Sequence, residues 1–128
     1  MFFLAMILNP KVMKKAQDEL DRVVGKGELP DFSHTGDLPY IDALVKEVLR
    51  WGSTSPLAVP TRAMQDDVYR GYLIPAGAIM VQNVWAICRD PSVYPDPEVF
   101  NPDRFLKDGK INPLVFDPGD RVFGTGRR

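Results

Sequence analysis

The chain has 128 residues, enough for one domain and too few for two. Hydrophobic residues make up 45% and charged residues 26%, ordinary values for a globular protein that exclude disorder over the whole length. The net charge of −1 lacks the basic footprint of a nucleic-acid binder, and the single cysteine excludes a disulfide framework or a Cys-rich zinc site.

The run Phe2–Leu8 is apolar but spans only seven residues, far short of the ~20 a membrane span needs. It carries neither the basic region nor the cleavage site of a signal peptide. It reads as the buried end of a helix. Prolines stand at 10, 30 and 39 and then nine times from Pro56 onward, so long helices are expected only in the first 52 residues. Lys11 to Val24 places Val12, Ala16, Leu20 and Val23 at helical spacing, and Gly25 supplies a stop. A second helix is expected after Asp37 as N-cap, with Pro39 in its first turn. Its apolar stripe is Ile41, Leu44, Val45, Val48 and Leu49, which leaves Glu47 and Arg50 on the opposite face.

Val68 to Gln82 suggests a small β region. Val68-Tyr69 and Tyr72-Leu73-Ile74 flank a tight turn at Arg70-Gly71, and Pro75-Ala76-Gly77 forms another before a strand over 78–81. Asn83 is placed to cap a short helix over 84–87. From Asp90 to Gly126 no periodicity survives. Six prolines interleaved with Tyr94, Phe100, Phe105 and Phe116 describe an ordered loop anchored by aromatic rings. The fold class is α+β: two amphipathic helices, a small β region and a proline-rich meander.

Taken singly, the polar residues are unremarked. Glu47 and Arg50, at i and i+3, suit an exposed ion pair worth a few tenths of a kcal/mol, on the order of other such pairs. Arg62 and Arg104 suit surface arginines. Gly124-Thr125-Gly126-Arg127-Arg128 lacks the following helix that a phosphate loop needs. Cys88, with no histidine near it, suits a small packed hydrophobe.

Their order says more. Glu47-Val48-Leu49-Arg50 is followed by Pro60-Thr61-Arg62, by Tyr72-Leu73-Ile74-Pro75-Ala76-Gly77 and by Asn83-Val84-Trp85-Ala86. Then come Asp90-Pro91, Pro97-Glu98-Val99-Phe100, Pro102-Asp103-Arg104-Phe105 and Phe123-Gly124-Thr125-Gly126-Arg127-Arg128. The series resembles the C-terminal part of a cytochrome P-450, a haem-thiolate monooxygenase, most of all fungal microsomal members, and it does so over nearly the whole chain.

That resemblance implies a structural triad of Glu47, Arg50 and Arg104, a buried charge network fixing the meander to the helix. It implies that Arg62 and Arg128 meet haem propionates, and that Phe123 and Gly126 belong to the family's cysteine loop. It places Pro56, Leu57, Ala58 and Val59 along the substrate pocket, although their apolar character equally suits a core. The implied activity inserts one oxygen atom from O₂ into a lipophilic organic substrate, with electrons from an NADPH-dependent flavoprotein reductase at the endoplasmic reticulum membrane. No nucleic acid is expected as a partner, and no membrane span in this chain. The loop pattern puts its iron-ligating cysteine two residues beyond Arg128, and Cys88 does not match that position. The expectation is therefore a single partial domain over 1–128 that is inactive alone. The alternative is a non-catalytic binding module competing for the partners of a full-length relative.

Overall fold

The computed structural model of the protein describes residues 1–124. In chain order the elements are α1 (Phe2–Leu8), α2 (Pro10–Val23), a 3-10 turn at Phe32–His34, and α3 (Pro39–Trp51). The strands β1 (Thr61–Arg62), β2 (Asp67–Tyr69), β3 (Tyr72–Ile74) and β4 (Ile79–Met80) follow, then α4 (Val84–Ile87). A 3-10 turn at Pro102–Phe105, β5 (Leu106–Lys107), β6 (Lys110–Ile111) and α5 (Gly119–Val122) complete it. This is the mixed α+β content expected from the sequence. Among the described residues no helix is long and apolar enough to cross a membrane.

The apolar N-terminal run is helical, but only Ala5 and Met6 are buried, while Phe3 is 80% exposed and Ile7 76% exposed. This departs from the expected buried helix end. Pro10 begins α2 at a position where its missing N–H costs nothing, so α1 and α2 are separate helices. Asn9 between them donates its side-chain amide to the Ala5 carbonyl at 2.9 Å. At the other end of α2, Gly25 takes φ +105° and donates to the Leu20 carbonyl, which closes the helix where a side chain would be strained.

Helix α3 is the spine. Tyr40 and Leu44 join Ala5, Met6, Ala16 and Phe100 in one apolar cluster. Ala43, next along, joins Tyr94 and Phe105 in a second. The expected apolar stripe is thus only part of what α3 buries. Val45 is 54% exposed, whereas Glu47 and Arg50 are fully buried. The face assigned to solvent is covered by the segment after α4, which a helical-wheel reading of α3 alone does not contain.

The start of α3 also corrects the sequence reading. Leu38, not Asp37, is the N-cap, and no neighbouring side chain caps the helix. The open N–H groups of Tyr40 and Ile41 instead donate to the two carboxylate oxygens of Glu19 on α2, at 3.1 and 2.9 Å. A buried carboxylate at a helix N-terminus satisfies orphan donors and faces the positive end of the helix dipole.

The β region consists of two-stranded antiparallel ribbons. β1 pairs with β4, in register Thr61↔Met80 and Arg62↔Ile79, and the β2–β3 hairpin is inserted between them. Arg70 and Gly71 both take positive φ, +51° and +85°, as a two-residue type I′ turn requires. Asn83 accepts from the Ala86 N–H at 3.0 Å and caps α4 as expected. The stretch from Asp90 onward contains more regular structure than its sequence suggested. β5 and β6 form a hairpin around Asp108-Gly109, both at positive φ, a turn signal present in the sequence.

Replacing Glu19 with alanine removes two backbone bonds at once. We expect a loss of about 1–2 kcal/mol, the range for helix N-caps, with Glu19→Gln between the two, read from urea denaturation followed by circular dichroism. A second tie, from Lys46 of α3 to Asp117 before α5, predicts a pH dependence. Burial pushes the Asp117 carboxyl up, but the Lys46 hydrogen bond, the Gly119 N–H and the Lys46 charge outweigh it and hold it below the ordinary value. A depressed carboxyl stabilises the fold above the unfolded pKa, about 4, and that stabilisation is lost as pH falls through the folded value. The stability gap between the protein and Asp117→Asn should therefore shrink with acidification below about pH 4 and be constant above it.

Candidate functional site

Glu47 sits with both carboxylate oxygens out of water, two turns into α3. Arg50, one turn on, donates to it from Nε at 2.7 Å and Nη2 at 2.8 Å. The Asn101 N–H donates to the same carboxylate at 2.7 Å, and Arg104 Nε at 3.3 Å. The structure thus brings together the three residues Glu47, Arg50 and Arg104 across 57 positions of sequence.

The remaining guanidinium hydrogens go to the backbone. Arg50 Nη1 donates to the carbonyls of Cys88 at 2.9 Å and Pro97 at 2.7 Å, and Nη2 to Val99 at 3.3 Å. With the two bonds to Glu47, all five of its N–H donors are used. Arg104 donates to the carbonyls of Pro95 at 2.6 Å, Asp96 at 3.2 Å and Val99 at 3.0 Å. Trp51 adds its indole N–H to the Glu98 carbonyl at 3.0 Å. Asn101, Trp51 and the accepting carbonyls were not singled out from sequence. Backbone acceptors carry no sequence signal, and the arginines were visible only through the spacing of their motifs.

The second feature is an open groove of about 560 Å³. It is lined by Ala58 and Val59, by the paired Thr61 and Met80 with Val81, and by Val122 and Phe123. Of the expected pocket segment, Ala58 and Val59 line it but Pro56 and Leu57 do not. A turn over Ser55–Ala58, closed by the Ala58 N–H on the Ser55 carbonyl, directs Pro56 toward α4, where its carbonyl accepts from the Trp85 N–H at 2.9 Å. Ala58 itself takes φ +52°, a left-handed conformation that costs an alanine roughly 1 kcal/mol.

Arg62, next to Thr61 in β1, is exposed and does not line the groove. Its guanidinium lies on Gly77, where an added Cβ would meet Nη2 at 3.1 Å. Gly77, at φ +87°, is thus required both by its turn and by the arginine resting on it. Phe123 is 78% exposed at the groove's edge. Gly126 and Arg128 lie outside the described residues.

Cys88 is fully buried behind α3, and burial pushes its thiol pKa up against the lowering charges of Arg50 and Arg89. This is the environment of a packed thiol rather than of a thiolate. Among the described residues no group of three or more His, Cys, Asp or Glu side chains is placed to hold a metal ion.

The network predicts an uneven mutational response. Glu47→Leu leaves two guanidinium groups without their carboxylate, and Arg50→Lys supplies three donors where five are used. Each should destabilise the fold by about 3–5 kcal/mol. Lys14→Ala, which removes only the exposed pairing with Asp18 on α2, should leave the urea midpoint unchanged.

Comparison with known proteins agrees with the order of these motifs. The Cytochrome P450 family profile matches residues 1–128. An O-methylsterigmatocystin oxidoreductase of Aspergillus flavus is 54% identical over 127 residues, covering 99% of this chain and 24% of that protein. Cytochrome P450 monooxygenase 98 of Postia placenta is 52% identical over 128 residues, covering 99% and 25%. Tryptamine 4-monooxygenase of Psilocybe cyanescens is 49% identical over 129 residues, again 99% and 25%. The chain spans about a quarter of the length of the curated relatives it matches. With the whole chain inside the profile and half its residues shared with fungal relatives, the protein belongs to the cytochrome P450 family.

Proposed function

We propose that this chain forms one wall of the haem and substrate site of a P450 monooxygenase acting on a lipophilic organic substrate. The observation that carries it is the groove, lined by Ala58, Val59, Met80, Val81 and Phe123, with Arg62 exposed on β1 beside the lining residue Thr61. Such residues fit a haem: the apolar walls suit the flat ring, and an exposed guanidinium suits a carboxylate at its edge through short, charge-assisted hydrogen bonds. When bound, haem supplies the oxygen chemistry by which one atom of O₂ enters the substrate.

The chain's own residues have supporting parts. Arg62 would hold a propionate, joined by Arg128. Phe123 and Gly126 would belong to the loop that carries the iron's cysteine ligand, a role not given to the buried Cys88. Ala58 and Val59 would meet the substrate and keep water from that side. Glu47, Arg50 and Arg104 do not line the groove and would act by fixing the meander. Electrons would come from an NADPH-dependent flavoprotein reductase, with the complete enzyme at the endoplasmic reticulum membrane.

Hemin and its dimethyl ester, titrated into the full chain by fluorescence quenching, test this reading. Arg62→Ala should weaken hemin binding about tenfold, the scale of one hydrogen bond to a charged group, and leave binding of the ester unchanged. Equal effects on both, or none on either, would overturn the propionate assignment.

A further inference from the structure

Arg89 is a partly buried cation that neither the triad nor the groove accounts for. Its side chain is 16% exposed, and among the described residues it makes one hydrogen bond, from Nη2 to the Trp51 carbonyl at the end of α3, 3.0 Å away. Its guanidinium carbon lies 4.7 Å from the centre of the Trp85 ring on α4. Nε is 3.5 Å from a carboxylate oxygen of Glu98 without making a hydrogen bond, and Nε and Nη1 are both buried and unpartnered among the described residues. Buried donors are rarely left open in this way.

The geometry explains what is gained. A guanidinium has two kinds of binding surface, a face that stacks on an aromatic ring and an edge that donates in its own plane. With its guanidinium carbon over the Trp85 ring, Arg89 directs only Nη2 at the end of α3; Nε stands 3.5 Å from Glu98, short of a hydrogen bond, and Nη1 has no acceptor among the described residues. The stack therefore fixes Trp85 against α3 at the cost of full hydrogen bonding. Trp85 is the residue whose N–H holds the Pro56 carbonyl at 2.9 Å. The turn at Ser55–Ala58, with Ala58 held at φ +52°, starts from that bond and ends in the groove wall.

We propose that Arg89 is a positioning residue for the groove: by clasping Trp85 to the end of α3 it sets the Pro56 turn, and so the placement of Ala58 and Val59. It touches no ligand itself. The geometric claim concerns the free chain, and only the identity of the ligand facing that wall rests on the function proposed above.

Amide hydrogen exchange on the full chain, without any ligand, reads this directly. The Trp85 and Ala58 N–H groups report the clasp and the turn. The Asn101 N–H, bonded to Glu47, reports the fold as a whole. Arg89→Lys keeps the charge but replaces the broad planar guanidinium with a single ammonium nitrogen, which cannot meet the ring and the Trp51 carbonyl through separate atoms, and should raise exchange at Trp85 and Ala58 by roughly tenfold, the scale of one cation–π contact with its hydrogen bond, with Asn101 unchanged. A merely structural arginine would raise all three together, and that result, or no change at any of them, overturns the proposal. If Arg89→Lys does not fold, Trp85→Leu carries the same test, since that ring is half exposed and its backbone N–H is retained. Its expected signature is again faster exchange at Ala58 with Asn101 unmoved, and wild-type exchange at Ala58 overturns the proposal. No ligand enters these rates, so failure of the hemin titration would leave their outcome standing.

Discussion

A stretch with Pro91, Pro95, Pro97 and Pro102 has more carbonyls than N–H groups, because each proline supplies an acceptor without a donor. No helix or sheet ladder can balance that excess, since both pair acceptors with donors one to one. Arginine carries the opposite imbalance, five donors and no acceptor. Arg50 and Arg104 bring that surplus to the stretch, and the carbonyls they reach at Pro95, Asp96, Pro97 and Val99 belong to it. The meander is ordered because two guanidinium groups take the place of a strand neighbour. Asp96 even adopts φ +50°, so the backbone accepts strain at the point where its carbonyl meets Arg104.

Glu47 is what makes two buried guanidinium groups tolerable. Each would be strongly disfavoured in a dry interior, and side by side they repel. One carboxylate between them offsets both effects, while the carbonyl dipoles spread the residual positive charge. The Arg50 guanidinium also lies 5.5 Å from the Tyr94 ring centre, where the ring's face adds attraction. Tyr94 is itself pinned by its hydroxyl to the Phe116 carbonyl at 3.0 Å. The charge network and the second apolar cluster are therefore one structure, and neither can be loosened without the other.

Local signals made much of the fold legible in sequence. Gly25 after an amphipathic run, Arg70-Gly71 between β-formers and Asn83 before a short helix each act within a few residues, and each element formed where expected. What failed was reading α3 by itself. Its wheel has one apolar stripe, and the rule that charges face water placed Glu47 and Arg50 outside. Only the later motif order, with Arg104 far downstream, hinted that a second layer would cover them. Glu19 gave no such hint, because a carboxylate on α2 looks the same whether it meets solvent or the start of another helix. The groove was partly legible: Ala58 and Val59 came from the segment that the family resemblance sets along a pocket and Phe123 from its loop motif, but the turn of Pro56 toward α4 depends on the Trp85 N–H, a contact no spacing encodes.

The same logic sets how the buried network can bear on the groove. Helix α3 is followed by Gly52, where an added Cβ would come within 2.8 Å of Met1, so the chain must leave the helix along a narrow path. From there only a few residues separate Trp51, held through its indole to Glu98 and through its carbonyl to Arg89, from the turn at Ser55. Tethered this tightly at its origin, a short segment cannot shift its far end without moving its anchor. Ala58 can then be kept in a left-handed conformation that an alanine in a free loop would abandon, and the groove wall inherits its rigidity from hydrogen bonds made on the other side of α3.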